Sequence, residues 1–144
     1  MYCDSCILVK LLTDEPDSEF FNRELSGQPL STSELALTEV FAALLAKERA
    51  GRIRPADRRR AWNQLQEWVE NEQIVLHPLI TRTMAKARQQ LDFCHPDVPL
   101  RTLDAVHVAA CDLSQDFPLA TTDQRMRDAA ERLRIPTFPP AGRG

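Results

Sequence analysis

Met1-Tyr2-Cys3-Asp4-Ser5-Cys6-Ile7-Leu8-Val9-Lys10-Leu11-Leu12 opens the chain and reads as a short apolar strand, one acid, and a helix. Asp4 thus falls at the carboxyl end of a strand, Met1 to Asp4. The pattern recurs near the other end. There Leu119 to Thr121 forms a strand, and Asp123 closes it and begins a helix reaching Leu133. Between them, strands are expected at Leu30 to Ser33 and Ile74 to His77, with a weaker one at Thr137 to Phe138 flanked by prolines. Helices are expected at Ser5 to Leu12, Asp17 to Leu25, Ser33 to Arg49, Pro55 to Asn71, Thr81 to Phe93 and Thr102 to Ser114. Strands alternating with helices imply a parallel sheet covered on both faces. The expected fold is therefore α/β: an α/β/α sandwich with a short parallel sheet of four or five strands. Residues 1–138 make one domain and residues 139–144 a flexible tail.

Several helix ends carry local signals. Ser31 with Glu34 suggests a capping box, Gly51 follows the third helix, and Pro55 sits at a first helical position. Leu37, Val40, Phe41, Leu44 and Leu45 share an apolar face of the third helix, while Glu39 lies on another stripe with Ala42, Ala43 and Ala46. Those small neighbours are expected to let the helix approach the sheet end closely.

A chain of 144 residues buries about two-thirds of its unfolded surface, enough for one core. Its 43% hydrophobic and 27% charged content is that of a water-soluble globular protein. No apolar run approaches the ~18 residues that would cross a bilayer, and no basic segment leads into an apolar signal core. A cytoplasmic protein without membrane contact is expected. The net charge of −3 gives no global attraction to nucleic acid. Locally, however, Lys47, Arg49, Arg52, Arg54, Arg58, Arg59 and Arg60 face only Glu48 and Asp57 in the same stretch. This cluster either steers a phosphate backbone or is a solvated helix end.

Four carboxylates, Asp4, Glu39, Asp104 and Asp123, can meet beyond the carboxyl ends of the strands, where sites form in parallel sheets. Glu39 lies about a turn and a half into its helix and Asp104 in the first turn of the helix from Thr102. At an effective dielectric near 20, two carboxylates ~5 Å apart repel by roughly 3 kcal/mol. A convergent set needs a cation, and hard oxygen ligands suit Mg²⁺ or Mn²⁺.

Other chemistries lack their motifs. The glycines Gly27, Gly51, Gly142 and Gly144 form neither a phosphate loop nor a dinucleotide fingerprint. No G-x-S-x-G elbow occurs, and His77, His95 and His107 have no evident nucleophile partner. His107, one turn after Asp104, reads as a packed helix histidine or a neighbour of the site. Cys3 and Cys6 have C-x-x-C spacing, but a strand and a helix hold them and Asp4 stands between, so reduced cysteines are expected. A receiver-like fold would need an acid after a central strand, and Pro78 follows His77.

The segments around the four acids also resemble a known family. Tyr2 to Leu12, Ser33 to Leu45, Leu100-Arg101-Thr102-Leu103-Asp104-Ala105-Val106-His107-Val108-Ala109 and Leu119-Ala120-Thr121-Thr122-Asp123-Gln124-Arg125-Met126 are similar, in order, to segments of PIN-domain ribonucleases. The likeness is to the small VapC-type toxins of bacterial toxin–antitoxin pairs, and it spans nearly the whole chain. It implies a PIN-like fold and a Mg²⁺- or Mn²⁺-dependent ribonuclease that hydrolyses RNA phosphodiester bonds. It implies metal ligands at Asp4, Asp104, Asp123 and Glu39, with Ser5 and Thr121 as hydroxyls that position the acids or the water, Thr122 being an alternative. It also implies a small antitoxin partner and a homodimer. Arg101 either pairs with a substrate phosphate or forms a structural salt bridge. The apolar stripe of Trp62, Leu65 and Val69, with Trp68 beside it, is either a groove for a partner helix or ordinary core. A non-catalytic PIN-like domain that binds RNA or protein is the rival reading.

Overall fold

A computed structural model describes residues 1–140. Five strands, β1 (Tyr2–Cys3), β2 (Leu30–Ser33), β3 (Ile74–His77), β4 (Leu119–Ala120) and β5 (Thr137–Phe138), form one sheet in the order β3-β2-β1-β4-β5. Every pairing is parallel. Seven helices connect them: α1 (Ser5–Leu12), α2 (Ser18–Leu25), α3 (Glu34–Arg49), α4 (Pro55–Glu70), α5 (Thr81–Cys94), α6 (Thr102–Ser114) and α7 (Gln124–Arg132). The expected α/β/α sandwich is the observed one.

The two-residue centre of the sheet shows why both faces need cover. Successive strand side chains point to opposite faces. Cys3 and its register partner Ala120 enter one core with Ile7, Leu8, Val40, Leu44 and Leu65, while Tyr2 and its partner Leu119 enter another with Val108, Cys111, Met126 and Ala130. Helices α1 to α4 pack on the first side and α6 and α7 on the second. A one-residue slip of β1 would exchange the two sets.

Element ends differ from the expected ones by a residue, because Asp4, Asp17 and Asp123 act as N-caps and Asn71 as a C-cap outside the regular segments. The Ser31–Glu34 capping box does not form. Ser31 lies within β2, and the N-cap of α3 is Ser33, whose Oγ is hydrogen-bonded to the Tyr2 hydroxyl (2.9 Å) rather than to the helix. Gly51 does end α3: with φ of +70° it takes the left-handed conformation that favours glycine, and the N–H groups of Gly51 and Arg52 reach back to Glu48 and Lys47. Pro55 is the first residue of α4 as expected.

The stripe on α4 is core. Leu65 is fully buried, Trp62, Trp68 and Val69 pack on the first cluster, and Trp62 meets Phe41 edge-on. Four of the seven clustered basic residues are tied in ion pairs: Lys47 to Glu15, Arg58 to Glu48, and Arg54 and Arg60 to Asp57. Arg49, Arg52 and Arg59 are exposed and have no ion pair among the described residues. All four cysteines are free. No described helix is long and apolar enough to cross a membrane. Of the expected tail, the Pro139 carbonyl accepts a hydrogen bond from Arg127 (2.7 Å), and residues 141–144 lie outside the described residues.

Candidate metal centre

Three of the four acids are held by helix N-termini. Asp4 caps α1, its Oδ1 accepting from the Ile7 N–H (3.0 Å) and from the Cys6 thiol (2.9 Å). Asp123 caps α7 through Oδ1 and the Met126 N–H (3.2 Å), while its own N–H donates to Thr121 Oγ1 (3.0 Å). Asp104, in the first turn of α6, reaches back with Oδ2 to the Arg101 N–H (3.3 Å). The positive ends of the helix dipoles favour anions at these positions. Glu39, inside α3, is held differently: its Oε1 is hydrogen-bonded to His107 Nε2 of α6.

In every case one carboxylate oxygen is held and its twin is not. Among the described residues, no hydrogen bond reaches Oδ2 of Asp4, Oδ1 of Asp104, Oδ2 of Asp123 or Oε2 of Glu39. Asp4 Oδ2 is also fully buried, and a buried acceptor left without a partner costs roughly 1–3 kcal/mol. Such an atom fits a hard cation's ligand. No three His, Cys, Asp or Glu side chains among the described residues close into a ready-made cage. Mg²⁺ in proteins commonly takes only one or two carboxylates and keeps several waters.

The electrostatics agree. Burial pushes the Asp4 carboxyl above its ordinary range, against the pull of hydrogen bonds from Cys6 and Ile7 and the nearby Thr121. Burial, and then the neighbouring charge of Asp123, does the same to Asp104, while Arg125 and Arg101 oppose it. Asp104 and Asp123 therefore feel each other. The Cys6 thiol, buried beside Asp4, is pushed up to about 12 and remains a neutral donor.

The other expected residues separate. Thr121 is fully buried next to Asp4, whereas Thr122 is exposed and lies 3.4 Å from Cys6 Sγ. Ser5, half-buried, begins α1 and makes no side-chain hydrogen bond among the described residues. Arg101 is exposed and forms no ion pair among them, so its structural salt bridge is not seen. Of the alanine stripe beside Glu39, Ala43 packs on the first core while Ala42 and Ala46 face solvent. Ala36, Val40 and Leu44 bring α3 onto the core, since the stripe three and four residues apart that meets the sheet is theirs.

Three residues near the acids, Tyr2, Ser33 and Arg125, escaped the sequence reading, and His107, read as a packed histidine or a neighbour of the site, is both. Tyr2 and His107 are fully buried beside Glu39, and Tyr2 also meets Ser33. Arg125, in the first turn of α7, has a buried Nε with no acceptor. The signal for His107 is its position three residues after Asp104, on the same helical face. For Tyr2 and Ser33 there is no local signal. Two clefts of about 600 and 500 Å³ flank Trp68 and are lined by none of the four acids.

Comparison with known proteins bears on this centre. Residues 1–132 match the family described as PIN domain. The chain is 36% identical over 146 residues to "Ribonuclease VapC46" of Mycobacterium tuberculosis (strain ATCC 25618 / H37Rv), covering 98% of this chain and 98% of that protein.

Proposed function

Because this chain belongs to the PIN-domain family, we propose that it is a VapC-type toxin, a ribonuclease that hydrolyses RNA phosphodiester bonds with Mg²⁺ or Mn²⁺. The observation that carries this reading is the set of four acids from separate elements, each with one oxygen held and one free, including the buried, unpartnered Oδ2 of Asp4. Asp4, Asp104, Asp123 and Glu39 are the residues that would hold the ion. When bound, the cation supplies charge that acidifies water and stabilises the anionic oxygens of the phosphodiester.

The chain's own groups supply the rest. Helix N-termini keep the three aspartates oriented, so their ordering cost is met in folding rather than at the moment of reaction. Thr121 accepts the Asp123 N–H and keeps its hydroxyl proton for the carboxylate or water beside it. Ser5 offers a second hydroxyl at the start of α1. Arg125 and Arg101 hold the scissile or neighbouring phosphate, guanidinium groups being suited to two oxygens at once. Attack by water in line, with no covalent intermediate, leaves a 5′-phosphate. A small antitoxin covers this acidic site through a basic side chain, and two copies associate through exposed apolar residues such as Val75, Ile80 and Leu103. The protein works in the cytoplasm, where its RNA is.

Structured RNA incubated with the purified chain should be cut in Mn²⁺ and left intact in EDTA, the products carrying 5′-phosphate ends. Intact RNA under both conditions, together with tight RNA binding, would favour a non-catalytic PIN-like domain. Arg125→Gln should raise KM about tenfold and leave kcat within a few-fold, the pattern of lost uniform binding. An unchanged KM for RNA would remove Arg125 from phosphate binding.

A further inference from the structure

One buried polar chain remains outside this account. His107, 2% exposed, sits between Glu39 at Nε2 and the Tyr2 hydroxyl at Nδ1 (2.8 Å), and that hydroxyl lies 2.9 Å from Ser33 Oγ. The residues joined this way are far apart in sequence and sit on the elements that carry the acids. Tyr2 is in β1, two residues before Asp4. Ser33 caps α3, which carries Glu39, and His107 lies one turn beyond Asp104 in α6. The Tyr2 and His107 rings also meet edge-on, with centroids 5.9 Å apart, so packing limits rotation of the imidazole.

We propose that His107 is the positioning residue of the metal centre: its Nε2–H holds Oε1 of Glu39, and Tyr2 and Ser33 hold His107, so that Oε2 of Glu39 is presented to the cation. This deepens the metal-dependent reading above and rests on it. A carboxylate only accepts, so Nε2 must carry the proton. The Tyr2 hydroxyl has one proton and two partners: given to Nδ1 it matches a ring whose proton is on Nε2, and given to Ser33 Oγ it requires a proton on Nδ1 as well as on Nε2. Groups that hold a metal's carboxylate or imidazole ligands from behind typically contribute 10–100-fold in metal affinity. Without such a hold, a glutamate side chain three torsions long and a quarter exposed samples many orientations and loses rotamer entropy on binding.

Mn²⁺ titration calorimetry on four variants tests this assignment. His107→Phe, which keeps a ring on Tyr2 but donates nothing, should weaken Mn²⁺ binding about tenfold or more. His107→Gln, whose amide N–H can still reach Glu39, should recover most of that loss. In a Glu39→Gln background, His107→Phe should change the affinity no further. An affinity unchanged in His107→Phe, or lost equally with and without Glu39, overturns the assignment. Ring ¹⁵N spectra of the wild-type protein give a reading that does not depend on any variant folding: they should show a proton on Nε2 of His107. An imidazole protonated at Nδ1 alone also overturns it. If the wild-type protein binds no Mn²⁺ at all, the metal centre itself falls, an outcome distinct from wild-type binding that His107→Phe leaves untouched.

Discussion

Asp104→Asn protein is expected to cleave RNA at least about 10³-fold more slowly than wild type at saturating Mn²⁺, equivalent to ~4 kcal/mol of transition-state stabilisation. The substitution is nearly isosteric. An asparagine oxygen can still accept the Arg101 N–H that Asp104 Oδ2 accepts now, so the start of α6 should keep its geometry. What disappears is the negative charge of one ligand, and with it much of the hold on the ion that acidifies water. The circular dichroism spectrum and Tm should stay near wild type, separating lost chemistry from lost fold. In a bacterium, wild-type chain expressed alone should arrest growth, and Asp104→Asn at the same level should not. Asp4→Ala should also be inactive but is the poorer test, because it removes the N-cap of α1 and about 1 kcal/mol of stability with it. Arrest that persists in Asp104→Asn, cleavage within tenfold of wild type, or 2′,3′-cyclic phosphate products would each refute the assignment.

A second large effect is expected in stability. In EDTA at pH 8, Asp4→Asn protein should be more stable than wild type, and the gap should close as the pH falls through the carboxylate range. Burial raises the Asp4 carboxyl in the folded protein, so between its unfolded value and that raised value the folded state binds more protons than the unfolded one. Wild-type stability therefore falls as pH rises across this window, and the full penalty remains above it. Asparagine carries no charge and keeps an acceptor for the Ile7 N–H. Asp104 acts in the same sense and Glu15, Asp57 and Asp116 in the opposite one, but all are common to both proteins and drop out of the difference. Mn²⁺ at about 100 times its Kd should stabilise wild type by about 2.7 kcal/mol and the variant far less, inverting their order. Urea denaturation at pH 5 and pH 8, with EDTA and with Mn²⁺, measures all of these. A variant less stable than wild type at pH 8 in EDTA would show that the Asp4 charge is not a burden in the folded protein.

Much of this protein was legible in its sequence. A two-residue apolar strand followed by an acid and an amphipathic run is local information. A strand's alternation, an N-cap's side chain and a glycine at φ +70° act within a few residues, so the alternation of elements, their order and the place of Asp123 at the start of a helix could be read directly, whereas Asp4 reads as the end of a strand and proves to cap α1. Errors arose where two local readings competed. Ser31 and Glu34 have capping-box spacing, but Ser31 is in a strand paired to Tyr2. The alanines beside Glu39 suggested a close approach, but of them only Ala43 packs on the core, and the helix turns Ala36, Val40 and Leu44 to it. Only the tertiary structure decided which oxygen of each acid is held and which is free, that Asp4 is buried while Asp104 is half-exposed, and that most of the basic cluster is tied in ion pairs. It alone joined His107 to Glu39, 68 residues away, and to Tyr2, 105 residues away. Such contacts depend on the distances between packed helices and on the direction of each side chain, which no residue determines from its neighbours in sequence.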